Sequence, residues 1–319
     1  MEHSPAVAAR RSSPRDQPRW QVVLVAVVAL VGLTELGVRV AGMVDFPVYV
    51  RDSQFGYAPE PNQAGRFLRQ NQWVFNDRSM GVEARWQPSA RTDILLIGNS
   101  IVLGGNPYDQ KDKLAPLMQA RLRSSCAVWP VAAGGWTNVN EFRFLESHAD
   151  VVAGADFFVW EYMAYQMGDM NPWVRETAHP TDRPIWATGY VVRKALDQRF
   201  PSTPRFVLQD PAQAAGNYAR FEAMITRLVE ASGRKPAGII FLYPDQQQLA
   251  LARSGAEWLP DRAEVERLAA RQGVLLLDIT GFSQWTAAMY KDGIHPTREG
   301  NSVLASILSD AVRKRSAGC

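Results

Sequence analysis

Five short apolar runs punctuate the last two thirds of the chain: DILLIG (93–98), AVWPV (127–131), FFVW (157–160), GIIFLY (238–243) and VLLLD (274–278). Between and after them lie stretches with helical periodicity, from about Lys113 to Ser124, Asn138 to His148, Arg262 to Gln272 and Gly300 to Arg315. Apolar runs of this length are too short for core helices and lack the alternation of a half-wet strand. They read as strands buried on both faces, which predicts an α/β fold with a parallel sheet covered by helices on two sides. In such open sheets ligands bind outside the carboxyl ends of the strands. The residues that follow each strand are therefore the candidates for function.

A longer apolar run precedes this region. From Trp20 the sequence QVVLVAVVALVGLTELGVRVAGMV is broken only by Glu35 and Arg39, and about 24 helical residues span roughly 36 Å, enough to cross a bilayer. Glu35 and Arg39 stand four apart near its far end, where they can pair or reach the interface. Arg10, Arg11, Arg15 and Arg19 precede the run and no comparable cluster follows it closely. The positive-inside rule then predicts a cytoplasmic basic tail at 1–19, a signal anchor at 20–44 and an extracytoplasmic remainder, as in a single-pass protein of a bacterial inner membrane. Two other readings stay open: a cleaved signal peptide, to whose cleavage site RVAGMV is a poor match, and a helix packed on the domain.

Residues 45–90, with PEPNQAG and FNDRSMG, read as a loop-rich lead-in. An α/β domain then occupies 91–316, interrupted at about 167–210 by a segment rich in Pro, Trp and Arg that breaks the strand-helix rhythm and is expected over the carboxyl edge of the sheet. The composition, 46% hydrophobic and 21% charged with 23 Gly and 20 Pro, excludes disordered, collagenous, coiled-coil and multi-span chains. Most of the net charge of +3 belongs to the N-terminal tail, so no basic face is left for nucleic acid. Cys126 and Cys319 are too few for a disulfide framework and read as free thiols.

The loops after the strands carry Gly98-Asn99-Ser100, Gly134-Gly135-Trp136-Thr137, Glu161 to Gln166, Pro244-Asp245 and Asp292-Gly293-Ile294-His295-Pro296. A serine hydroxyl becomes a nucleophile only with a base in hydrogen-bond reach and a third group orienting that base. Of the four histidines, only His295 sits in a loop directly before a helix with a carboxylate, Asp292, three residues away. Taken alone, Asp292 and His295 also fit a surface turn, and Ser100 fits a helix cap. No dinucleotide or P-loop fingerprint is present, nor the G-x-S-x-G elbow, since the fifth residue is Val102. No metal-ligand cluster is visible and no cofactor is implied.

Together, GNS at 98–100, the glycine-centred turn at 134–136 and DGIHP at 292–296 resemble the blocks of the SGNH (GDSL-type) hydrolase superfamily over about residues 91–316. The resemblance implies a three-layer α/β/α, flavodoxin-like fold. It implies Ser100 as nucleophile, His295 as base and Asp292 as its orienter. The oxyanion hole would take the Ser100 and Gly135 amides and an asparagine from the third block. That block reads Met163-Ala164-Tyr165-Gln166, which places Tyr165 where the asparagine belongs. Losing one such donor costs on the order of 10²- to 10³-fold in kcat unless Tyr165, Gln166 or Asn138 replaces it. The family's GDS is GNS here, which keeps the turn and drops a charge.

Trp160-Glu161-Tyr162 is similar to the third strand of SGNH-like proteins of bacterial polysaccharide O-acetylation. Gly56-Tyr57, Pro61-Asn62 and Asn76 resemble the segment before the hydrolase block in their membrane-anchored members. This branch implies an esterase or O-acyltransferase acting on a carbohydrate or acyl ester. Its partners would be the bilayer and a membrane acyl-transfer protein, and Trp136 is the candidate to stack on a sugar. A lipase or thioesterase, and a non-catalytic binding or scaffold subunit on the same fold, are the alternatives.

Overall fold

Each of the five apolar runs forms a strand of one parallel sheet in the computed structural model, which describes residues 19–164, 166–200, 211–233, 237–316 and 318–319. Helix α1 (Arg19–Val40) comes first, followed by two antiparallel hairpins, β1 (Tyr49–Asp52) with β2 (Gly56–Pro59) and β3 (Gln63–Phe67) with β4 (Asn71–Phe75). The sheet comprises β5 (Thr92–Gly98), β6 (Cys126–Ala132), β7 (Phe157–Tyr162), β8 (Gly238–Leu242) and β9 (Leu275–Asp278) in the order β6-β5-β7-β8-β9. The chain leaves β5 for β6 on one side and crosses back to β7 on the other. The topological switch, where such sheets open a crevice, therefore lies at the carboxyl end of β5.

Successive side chains of each strand enter opposite cores. Leu95, Ile97, Trp129, Val131, Phe158, Trp160 and Ile240 meet α4 (Asn138–Ser147), α5 (Ala149–Ala153), α7 (Pro211–Ser232) and α9 (Arg262–Gln272). Ile94, Leu96, Val128, Val159, Ile239 and Phe241 meet α2 (Ser100–Leu103), α3 (Leu114–Gln119), α8 (Gln246–Arg253) and α10 (Arg298–Arg315). The result is the three-layer α/β/α architecture expected from the buried runs.

The departures have local causes. The lead-in at 45–90 carries both hairpins between its loops: the second turns at Leu68 and Arg69 and the link between the two passes through Asn62, all three at positive φ, and Tyr57 and Trp73 are buried. The interrupting segment is partly helical, with α6 (Ala187–Arg199) packed on the end of α1. Its residues 201–210 lie outside those described, as does the basic tail up to residue 18. Cys126 and Cys319 are not free thiols but a disulfide. After α10 the chain end returns to the start of β6, where Ser125 Oγ donates to Gly318 O at 2.6 Å. A separation of 193 residues hid that proximity.

Among the described residues one helix, Trp20–Val40, is long and apolar enough to cross a membrane by length and composition. It is exposed along most of its length and touches the domain only near its C-terminal end, so it is not a helix packed on the domain.

Candidate active site

Strand β5 ends at Gly98, a position with room for glycine alone: a Cβ would stand 2.4 Å from Glu161 Oε2 and 2.5 Å from Val102 Cγ2. Asn99 then caps α2, its Oδ1 accepting from Ile101 N at 3.0 Å. An aspartate would accept the same bond, which is why the turn survives the Asn. The Asn99 N–H donates to Glu161 Oε2 at 3.1 Å and its Nδ2 contacts Met163 Sδ at 3.3 Å. The next residue, Ser100, stands half-buried at the mouth of the switch crevice.

His295 reaches this serine from the far end of the sequence. Its Nε2 is 2.9 Å from Ser100 Oγ, and its Nδ1 is 3.0 Å from each carboxylate oxygen of Asp292. An ionised carboxylate only accepts, so Nδ1 carries the proton and Nε2 is left to accept from the serine hydroxyl. The Asp292 carboxyl is held below its usual range; partial burial opposes this and is outweighed by the His295 backbone N–H and the attraction of its ring. The loop is tied at several points. Tyr243 OH donates to Ile294 O at 2.6 Å, Tyr108 OH to Pro296 O at 2.7 Å and Lys291 N to His295 O at 2.8 Å. Beside the serine a cleft of about 200 Å³ is lined by Ser100, Gly104, Gly105, Tyr108, Lys291 and His295.

The glycine turn after β6 is held by segments remote in sequence. Gly135 has φ +78°, and a Cβ there would meet Tyr57 OH at 3.1 Å. Gly134 O accepts from Tyr57 OH at 2.8 Å and from His179 Nε2 at 2.7 Å, while Gly135 O accepts from Asn171 Nδ2 at 2.6 Å. Burial depresses the His179 imidazole to about 4, so the ring is neutral and serves here as a fixed donor. Asn140 joins the same parts. Its Oδ1 accepts from Thr137 and Asn171 backbone N–H groups, and its Nδ2 donates to Phe55 O and Asn171 O. None of Tyr57, Asn140, Asn171 and His179 was assigned to this turn from sequence, because each acts through one or two polar bonds across long separations.

The other expected residues divide. Asn138 is not a spare oxyanion donor: its Nδ2 already donates to Glu141 Oε2 at 2.7 Å and to Glu161 O at 2.8 Å, inside the core. Trp136 is not a sugar platform, since it is buried against Phe144 and its Nε1 donates to Tyr57 O at 2.7 Å. Gln166 is half-buried, and its Oε1 has no partner among the described residues. Tyr165 lies outside the described residues. Among the described residues no group of three or more His, Cys, Asp or Glu side chains is arranged to hold a metal ion.

No protein-family profile and no curated protein matches the chain. Solved structures with a similar fold include a lipase/acylhydrolase from Enterococcus faecalis, 13% identical, with a TM-score of 0.41, covering 70% of this chain and 95% of that one. A member of the lipolytic protein G-D-S-L family from Veillonella parvula is 12% identical, with a TM-score of 0.39, covering 70% and 98%. An acetylxylan esterase from Geobacillus stearothermophilus is 16% identical, with a TM-score of 0.35, covering 72% and 96%.

Proposed function

We propose that the chain is a membrane-anchored, extracytoplasmic serine esterase or O-acyltransferase that works through an acyl-enzyme on acetyl groups of a carbohydrate. The observation that carries this reading is the unbroken hydrogen-bond chain from Ser100 Oγ through His295 to Asp292. In the first half-reaction the Ser100 hydroxyl passes its proton to His295 Nε2 as Oγ attacks the ester carbonyl. The Ser100 and Gly135 amides are the proposed donors to the oxyanion. Collapse breaks the ester bond, and His295 returns the proton to the departing alcohol. In the second half, His295 takes a proton from water or from a sugar hydroxyl, whose oxygen attacks the acyl carbon; the bond from the acyl carbon to Ser100 Oγ breaks and His295 returns the proton to Oγ. Water makes the protein an esterase, a sugar hydroxyl a transferase.

The carbohydrate substrate rests on the resemblance of Trp160-Glu161-Tyr162 to polysaccharide O-acetylation proteins. The cellular side rests on the arginines before α1 and on the Cys126–Cys319 disulfide, since such bonds persist in oxidising compartments. Domain boundaries at 20–44, 45–90 and 91–316 follow the same reading.

Full-length protein in detergent should label with a fluorophosphonate serine probe, and Ser100→Ala should not. Folded wild type that fails to label would instead favour the non-catalytic binding subunit, which the tyrosine at position 165 and the occupied amide of Asn138 already recommend as the rival.

A further inference from the structure

Helix α6 carries apolar residues on both of its sides, and the outer ones are left uncovered. Ala187, Tyr190 and Val191 pack inward on Val38, Val44 and Phe46, but Val192 and Leu196, at the centre of the opposite face, are 55% and 54% exposed. Ile185 and Trp186, just before the first turn, are 97% and 62% exposed, and Phe200, just after the last, is 68% exposed. Positions 185, 192, 196 and 200 fall on one stripe at helical spacing. Arg193 and Arg199 flank it. A water-facing helix has the reverse pattern.

The depth of this helix is set independently. The Glu35 carboxylate accepts from the Ala187 and Thr188 N–H groups at 2.9 and 2.8 Å, and Arg39 donates to Pro184 O and Ile185 O at 3.1 and 2.5 Å. The first turn of α6 is thus bolted to α1 at Glu35. From Trp20 to Glu35 the helix rises only about 22 Å, less than the roughly 30 Å hydrocarbon thickness of a bilayer. A helix fixed at that level is held at the outer hydrocarbon boundary.

We propose that α6, with Ile185, Trp186 and Phe200, lies in the outer leaflet of the bilayer that α1 crosses, its apolar stripe in the acyl boundary and Arg193 and Arg199 reaching lipid phosphates. The occupant of the stripe is lipid. This rests on α1 being a bilayer-spanning anchor. It adds a second, lateral attachment that orients the domain on the membrane, as interfacial amphipathic helices do.

The test uses full-length protein, with the native disulfide intact, reconstituted at high lipid-to-protein ratio in phosphatidylcholine/phosphatidylglycerol vesicles. A nitroxide is placed at Leu196→Cys or, in a separate sample, at Val28→Cys, and its accessibility to oxygen and to a water-soluble nickel complex is measured. Both labels are expected to favour oxygen over nickel. A Val28 label in lipid with a Leu196 label open to nickel overturns the interfacial helix and leaves the anchor standing. A Val28 label open to nickel removes the anchor and this proposal together. Dipolar broadening between Leu196 labels assigns the stripe to a second copy of the chain and overturns lipid as its occupant.

Discussion

Glu161 sits beneath the serine turn with no ion-pair partner among the described residues. It is buried, its Oε2 accepts from the Asn99 N–H, and burial together with the nearby Glu141 pushes its carboxyl well above the usual range. Glu141, equally buried, is raised to about 7, chiefly by desolvation, against the pull of hydrogen bonds from Trp160 and Asn138. The consequence for stability has a definite sign. Below about pH 4.5, its ordinary value, Glu141 is protonated in the folded and unfolded chain alike. Between there and about 7 only the folded chain keeps the proton, so rising pH removes stability, on the order of 3 kcal/mol once pH has passed 7. Urea midpoints measured from pH 5 to 8 should fall more steeply in wild type than in Glu141→Gln; equal slopes would show that Glu141 does not titrate in this window. At Glu161 a distinction of atoms is available. Glu161→Gln retains an acceptor for Asn99 N–H and should label at near wild-type rate. Glu161→Ala orphans that donor and should cost about 1–3 kcal/mol and slow labelling.

At the scale of elements, the turn carrying Gly135 depends on the lead-in hairpin and on the segment before α6. Tyr57 comes from β2, His179 and Asn171 from that segment, and Asn140 from α4 bonds to Phe55 O of the hairpin, to Asn171 and to Thr137. Tyr57→Phe removes one of two donors to Gly134 O, for a loss of about 1 kcal/mol. Asn140→Ala strips Thr137 N–H and Asn171 N–H of their acceptor at once and should cost about 2–4 kcal/mol. Both losses would be read from chemical denaturation. If the turn matters to the chemistry, probe labelling per folded molecule should fall in both variants; unchanged labelling in Asn140→Ala would separate the turn from the reaction. The strands of the sheet were legible because a run buried on both faces needs no partner to be recognised. The hairpins were not. Their apolar residues are interrupted by turn residues every few positions, and only partners from elsewhere in the chain, His179 against Tyr57 and Asp45 and Arg183 against Trp73, tell these rings which way is in.

At the scale of the whole molecule, the Cys126–Cys319 bond fastens the chain end to the first residue of β6. Replacing Cys319 with Ser should lower stability by about 2–4 kcal/mol, the usual range for a native disulfide closing a long loop. The check is the urea midpoint of the variant against oxidised wild type, and an unchanged midpoint would mean that the bond adds nothing to the fold. The same bond supports the extracytoplasmic side of the proposed function, since disulfides persist where thiols are oxidised.

Local chemistry determined much by itself: the five strands, their alternation with helices, and the apolar helix at the front. Asp292 and His295, three residues apart on one turn, could be paired on paper because backbone geometry limits where they can point. Tertiary structure alone decided that Ser100 meets His295 across 195 positions, that Asn138 and Trp136 face the core, that the two cysteines join, and that α6 leaves an apolar stripe uncovered opposite its packed face. Periodicity and turn preference are properties of neighbours in the chain. Which polar groups find each other, and which apolar faces are left uncovered, depends on how distant elements are stacked.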